Sequence, residues 1–182
     1  GVAGMAMLVT HISAAAGALM WMIVEWIRHG KPNALGVVTG MVAGLGTITP
    51  ASGFVGPMGA LVIGATAGFV CYWATQIVKQ KFVIDDSLDV FPVHGVGGAL
   101  GILLTSVFVS AGLGGAGLAD GVSMGGQFGV QAIAVVTTAV WSAIVSYLAL
   151  KVAGLTAPLR VSVEEELEGL DLVNHEERGY NL

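Results

Sequence analysis

This sequence predicts an all-α fold, a polytopic transmembrane helical bundle, on three observations. Of its 182 residues, 55% are hydrophobic and only 10% charged, with a mean hydropathy of +0.84, whereas a soluble domain carries about 25% charged residues. The apolar residues fall in five long runs with no sustained period of two, as helices require and strands do not. The 28 glycines outnumber the five prolines, which suits helices that approach closely in lipid, where small side chains decide contact. An open sheet is a poor alternative, because its edges would leave backbone groups unsatisfied in hydrocarbon.

The first run, about 2–27, stops at Gly30-Lys31-Pro32, a C-cap glycine followed by a breaker. The second, about 34–49, is short and ends at Pro50; its claim to be a helix rests on Gly36, Gly40 and Gly44 at i, i+4 and i+8. The third, about 55–78, repeats that spacing in Ala60, Gly64 and Gly68, and the fourth, about 90–110, repeats it in Gly97 and Gly101. These stripes read as packing seams. The fifth run is about 128–152. Each is long enough, or nearly so, to cross a ~30 Å hydrocarbon core at about 1.5 Å per residue. Residues 1–153 are thus expected to form a transmembrane bundle of five helices and 154–182 a cytoplasmic tail. In that tail Ser162 and Glu165 form a capping-box pattern, and Gly169 is placed to end the short helix they start. The chain opens at Gly1 without an initiator methionine and is apolar from Val2; with no basic stretch ahead of it, the start reads as a truncation point.

Charge placement predicts orientation. With five crossings and the C-terminus inside, Arg28, Lys31, Lys79, Lys81, Lys151, Arg160 and Arg178 all fall on the cytoplasmic side, while the loops near 50–55 and 111–127 hold no lysine or arginine. The expected location is the inner (plasma) membrane, with the N-terminal end of the chain outside. The net charge of −5 is mostly tail, since seven of the twelve acids lie in the last 20 residues. No basic patch suggests a nucleic acid partner, and the lone Cys71 excludes a disulfide within one chain. No Walker loop, dinucleotide fingerprint or metal-spaced cluster occurs, so neither cofactor nor metal is expected. Gly121-Val122-Ser123-Met124-Gly125 matches a hydrolase pattern, but it lacks the strand-turn-helix setting and partners that pattern needs. No enzyme is expected.

Ionisable groups inside a membrane span are costly and mark function by default. Three stand within the runs: His11, Glu25 and His94. Glu25 lies beside Trp26 and Arg28 at a helix end and reads as structural; His11 reads as a helix-contact histidine. His94 follows the acids Asp85, Asp86 and Asp89, which mark a cytoplasmic mouth, and lies about one turn beyond Pro92 with Gly95, Gly97 and Gly98 clearing space around it. A neutral imidazole offers one donor and one acceptor, suited to passing a proton or holding a small polar solute. Composition alone leaves a pathway residue and a buried structural histidine equally open.

Several blocks share one order and spacing. They are Trp21 with Glu25-Trp26; Gly44-Leu45 through Thr49-Pro50-Ala51 and Gly53; Asp85-Asp86, Asp89-Val90-Phe91, Val93-His94-Gly95-Val96 and Gly98; and Val140-Trp141-Ser142. In the tail come Glu168-Gly169-Leu170-Asp171, His175, Glu177, Tyr180 and Asn181. Together they resemble the Amt/MEP/Rh family of ammonium transporters, specifically its bacterial Amt branch. The resemblance implies eleven helices built as two inverted five-helix repeats, of which this chain supplies the last five, and a homotrimer with one pore per subunit in the lipid bilayer. It implies that ammonium is recruited outside, gives up its proton and crosses an apolar pore lined by two histidines. His94 matches the second of these, with Val90 on the pore wall; the partner histidine belongs to an earlier helix. Gly169, Leu170, Asp171, His175 and Tyr180 match the regulatory tail, near which PII-type signal proteins dock. Some relatives are sensors without net transport. The chain departs from the pattern at Pro92, Glu176 and Gly179, where members often carry glycine, glycine and alanine.

Overall fold

The structure is a computed structural model that describes residues 1–178; among these, the secondary structure is helical throughout, without a strand. The contacts divide the chain into two units, Gly1–Val136 and Thr137–Leu182.

In the first unit α1 spans Val2–His29 and is ended by Gly30 at φ 74, whose N–H bonds back to Trp26 O. Glycine enters this left-handed region without the steric penalty of a Cβ. The helix α2, Ala34–Ile48, starts at Asn33, whose side chain accepts from Leu35 N. The helix α3, Pro57–Gln76, carries Pro57 in its first turn, where the missing N–H has no intrahelical partner to lose. It runs on into a π-helical turn, Ile77–Lys81. A second π-turn, Phe91–Val96, leads into α4, Gly97–Phe108. After a short 3₁₀ turn at Ala111–Leu113 comes α5, Met124–Ala153, which continues into the second unit.

Among the described residues, four stretches are long and apolar enough to cross a membrane: Val2–His29, Pro57–Lys81, Phe91–Phe108 and Met124–Ala153. The helix α2 has 15 residues, about 22 Å of rise, which is short of a full hydrocarbon thickness. The fifth helix begins at Met124, four residues ahead of the expected start. There Ser123 Oγ accepts from Gly126 N at 3.1 Å, so the serine of the rejected hydrolase pattern caps a helix.

The glycine stripes form the seams of this bundle, in which α1 packs against both α2 and α3. A Cβ on Gly40 or Gly44 of α2 would run into Trp21 Cβ or the Ser13 carbonyl of α1, and one on Gly64 or Gly68 of α3 would meet the Ser13 or Gly17 carbonyl. Ser13 Oγ adds a buried hydrogen bond to Gly44 O at 2.9 Å. Apolar side chains fill the space that these approaches leave. One cluster joins Trp21, Ala43, Ala67, Cys71, Tyr72 and Val93, and another joins Val9, Ile48, Ala60 and Ile63.

In the second unit the rest of α5 is followed by α6, Val163–Glu168, and α7, Leu170–His175. The capping box is formed in both directions: Ser162 N donates to Glu165 Oε2 at 2.8 Å, and Glu165 N donates to Ser162 Oγ at 3.3 Å. Gly169, at φ 103, ends α6 with its N–H on Glu165 O.

Candidate solute pathway at His94

The turn that carries His94 is wider than an α-turn. Gly97 N bonds to Pro92 O, an i→i−5 link that lodges one extra residue; such π-turns are frequent at functional sites. The preceding π-turn closes in the same way, with Phe82 N on Ile77 O at 3.0 Å. Between the two turns the chain holds two non-glycine residues at positive φ, Val83 (53) and Asp89 (55). An aspartate tolerates this region, whereas a β-branched valine is strained there.

The three acids of this loop have separate surroundings. Asp86 takes the N–H of Val90 at 2.8 Å and of Phe91 at 2.9 Å on its two oxygens, satisfying donors that open the helix. Asp89 Oδ1 pairs with Lys79 Nζ at 2.7 Å, the aspartate side chain being 15% exposed and the lysine 37%. This ion pair ties the middle of one π-turn to the approach to the other. Asp85 is exposed.

His94 and Val90 are both exposed on the first unit. The glycine that leaves room beside the imidazole is Gly46 of α2, whose Cβ position would lie 3.9 Å from His94 Nδ1. The glycines that follow His94 in sequence do other things. Gly95 makes room for the Phe91 ring, and Gly97 seats the helix against Thr47 Oγ1 and Cys71 Sγ. The Thr47 hydroxyl is buried there without a partner.

Glu25, expected to be structural, is held in a hydrogen-bond network that the sequence did not reveal. Its Oε1 accepts from Trp21 Nε1 at 3.1 Å and its Oε2 from Asn33 N at 2.8 Å. Gly36 is the glycine that makes room for this carboxylate. Beside it His29 Nε2 lies 3.2 Å from the Tyr72 hydroxyl, and Arg28 stands 4.5 Å over the Trp73 ring. The spacing of Glu25 four residues after Trp21 and eight before Asn33 was the available signal. His11 is exposed, with Nδ1 3.0 Å from the Met7 carbonyl of its own helix. In the tail, Leu170, Asp171 and His175 are exposed on α7, and Gly169 is the joint between α6 and α7; Tyr180 lies outside the described residues. Among the described residues no group of three or more His, Cys, Asp or Glu is gathered to hold a metal ion.

The sequence profile described as "Ammonium Transporter Family" matches residues 1–180. The chain is 43% identical over 182 residues to an ammonium transporter of Bacillus subtilis (strain 168), covering 99% of this chain and 45% of that protein. It is 45% identical over 181 residues to an ammonium transporter of Aquifex aeolicus (strain VF5), covering 99% and 42%. Among solved structures it is similar to one titled "Sensor Amt Protein", with a TM-score of 0.85 and 30% identity over 94% of this chain and 42% of that one. The chain thus spans less than half the length of each of these relatives.

Proposed function

Because this chain belongs to the Ammonium Transporter Family, we propose that it is the C-terminal part of a multi-pass membrane transporter that conducts ammonium or ammonia through a histidine-lined apolar pore. The observation that carries this reading is His94. It is set on a π-turn, its imidazole is exposed beside Gly46, and Val90 is exposed just before the same turn. The chain fills less than half of its relatives' length, so in the whole protein this exposed face would turn toward the other half and the imidazole would line the passage between them. There a neutral ring can donate from one nitrogen and accept on the other, handing a proton along or holding ammonia.

On this reading the five helices are the last of eleven, and the whole protein is a homotrimer in the plasma membrane. Asp85, Asp86 and Asp89 lie at the cytoplasmic mouth, with Asp86 and Asp89 bracing the turn that carries His94. The tail, with Gly169, Leu170, Asp171, His175 and Tyr180, offers a cytoplasmic surface to a PII-type signal protein. The distribution of basic residues supports the orientation, because residues 32–78 and 82–150 hold no lysine or arginine at all. The family is one of transporters, and the proposed activity makes and breaks no covalent bond in the solute's heavy-atom skeleton.

The test is ammonium-driven current across liposomes holding the full-length protein. A clear current is expected, falling at least tenfold in His94→Ala while the protein remains folded. A silent wild type that still binds ammonium would replace transport with the sensor reading, which the likeness to the "Sensor Amt Protein" keeps in view.

A further inference from the structure

Where α1 gives way to α2 a cavity of about 530 Å³ opens, lined by Glu25, His29, Lys31, Pro32, Asn33 and Ala34. His29 stands exposed on its wall, with Nε2 3.2 Å from the Tyr72 hydroxyl of α3. Tyr72 itself is 1% exposed, and among the described residues His29 is the one hydrogen-bond partner of its hydroxyl. An exposed imidazole thus holds a buried phenol. The phenol belongs to the core behind His94. Its ring meets Trp21 edge-on at 5.4 Å and Trp73 at 5.7 Å, and it shares one buried cluster with Trp21, Cys71 and Val93. Val93 directly precedes His94 on the π-turn. Close-packed cores with few voids pass displacement from one side chain to the next.

Charge on the imidazole changes this arrangement. A neutral ring protonated on Nδ1 accepts the Tyr72 proton on Nε2. A charged ring carries N–H on both nitrogens and accepts nothing, which would leave the phenolic proton buried without an acceptor, at a cost in free energy. The charged ring has another place to go. Glu25 stands four residues earlier on α1, on the same helix face, and lines the same cavity. Its oxygens take Trp21 Nε1 and Asn33 N, and a carboxylate has about four acceptor sites, so an imidazolium can be added. The other charged groups here are Arg28, 4.5 Å over the Trp73 ring, and Lys31 on the cavity wall. The first turn of α2 carries no titratable residue, and Lys79, beyond Tyr72 on the continuation of α3, is paired with Asp89.

We propose that His29 and Tyr72 form a proton-operated latch on the His94 turn: neutral His29 accepts from Tyr72 and holds the phenol, and with it Val93, in place, whereas protonated His29 swings across the cavity to Glu25 and frees the phenol. Tyr72 is thus a positioning residue for His94. The signal is acid on the side of the membrane where Arg28 and Lys31 lie, over the range of about pH 5 to 8 in which histidine changes charge. The latch is a property of the fold and stands apart from the transport reading; only its effect on current rests on that reading.

The test uses the full-length protein in lipid nanodiscs, read by fluorine NMR with fluorotryptophan at Trp21 or, in a second sample, fluorophenylalanine at Phe91, which opens the π-turn. As pH falls through the histidine range, the Trp21 resonance should move in one step, and a component at Phe91 should move with the same midpoint. His29→Gln, which can accept from Tyr72 at any pH, should remove both. His29→Arg, always charged, should hold both resonances at their acid positions throughout, and it decides the matter should His29→Gln misfold. Tyr72→Phe should keep a Trp21 step, since His29 still turns to Glu25, but lose the Phe91 component. In liposomes with the same buffer on both sides, acidification over this range should reduce the ammonium-driven current of wild type at least threefold more than that of His29→Gln. The proposal is overturned by a Trp21 step that survives His29→Gln, by the absence of a matching component at Phe91, by its persistence in Tyr72→Phe, or by identical current profiles in wild type and His29→Gln. A wild type that carries no current yet shows both steps would sink the transport reading and uphold the latch.

Discussion

The helices α1–α4 and the helix α5 have opposite relations between apolarity and burial. Met124–Ala153 contains the most apolar stretch, with a mean hydropathy of 2.0, and none of that stretch is fully buried against the rest of this chain; in Pro57–Lys81 the most apolar stretch has a mean hydropathy of only 1.6, yet 44% of it is buried. If hydrophobicity drove helix association, the order would be reversed. In lipid it does not, because the tails are as apolar as the side chains, and close approach of small residues decides instead. The four packed helices carry glycines that meet facing backbone, as Gly44 and Gly64 meet Ser13. The helix α5 has no glycine from 130 to 153, and the earlier Gly125 and Gly129 face open space. Hydropathy tells a helix to enter the membrane; small residues tell it which neighbour to touch.

The most damaging way to break this contrast is Gly44→Leu, which drives a side chain into the backbone of α1 where nothing can yield. It should lower the stability of the detergent-solubilised protein by about 3 kcal/mol or more, beyond ordinary overpacking, as read by thermal or SDS unfolding. Next in size, Glu25→Ala should cost about 2 kcal/mol by removing the acceptor for Trp21 and Asn33. Asp89→Ala should cost about 1 kcal/mol, because Lys79 is more than a third exposed and can turn to solvent; ammonium-driven current should suffer more than stability does, if the ion pair braces the His94 turn.

Similar in size but confined to the tail, Ser162→Ala should cost about 1 kcal/mol of local helix stability, seen as lost amide protection in α6 with no change in the bundle. The same helix should respond to acid. The backbone and hydroxyl of Ser162 hold the Glu165 carboxyl below the usual carboxylate range. Its contribution is therefore present above the unfolded-state pKa and disappears as pH falls through the lower folded-state value. NMR of the tail should show α6 fraying over that acidic window, and Glu165→Gln should flatten the response. The smallest effect belongs to Gly129→Leu, within about 0.5 kcal/mol of wild type, because a Cβ there meets nothing within 4 Å. A cost comparable to that of Gly44→Leu would refute the seam argument.

Local chemistry made much of this legible in the sequence. Gly30 after a helical run, the Ser162–Glu165 box and the small-residue spacing of α2 and α3 each have one physical use, and each is put to it. What stayed hidden depends on partners far along the chain or on bonds with no compositional mark. Nothing in Phe91–Val96 distinguishes an i→i−5 link from an ordinary turn. Gly46, not the glycines after His94, lies beside the imidazole, because that neighbour comes from a helix some fifty residues earlier. The acids before His94 read as a set, yet one is a helix cap and another an ion-pair partner, since their separate uses follow from a backbone path through left-handed residues at 83 and 89.

The π-turn at Phe91–Val96 amounts to a lodged extra residue. A one-codon deletion within it is the shortest genetic step to an unbroken α-helix, and it would swing everything before the lesion by about 100° relative to α4. Hydropathy and composition would scarcely change, but the imidazole would leave its place beside Gly46. These six positions should therefore tolerate many exchanges of one side chain for another while refusing any change in their number.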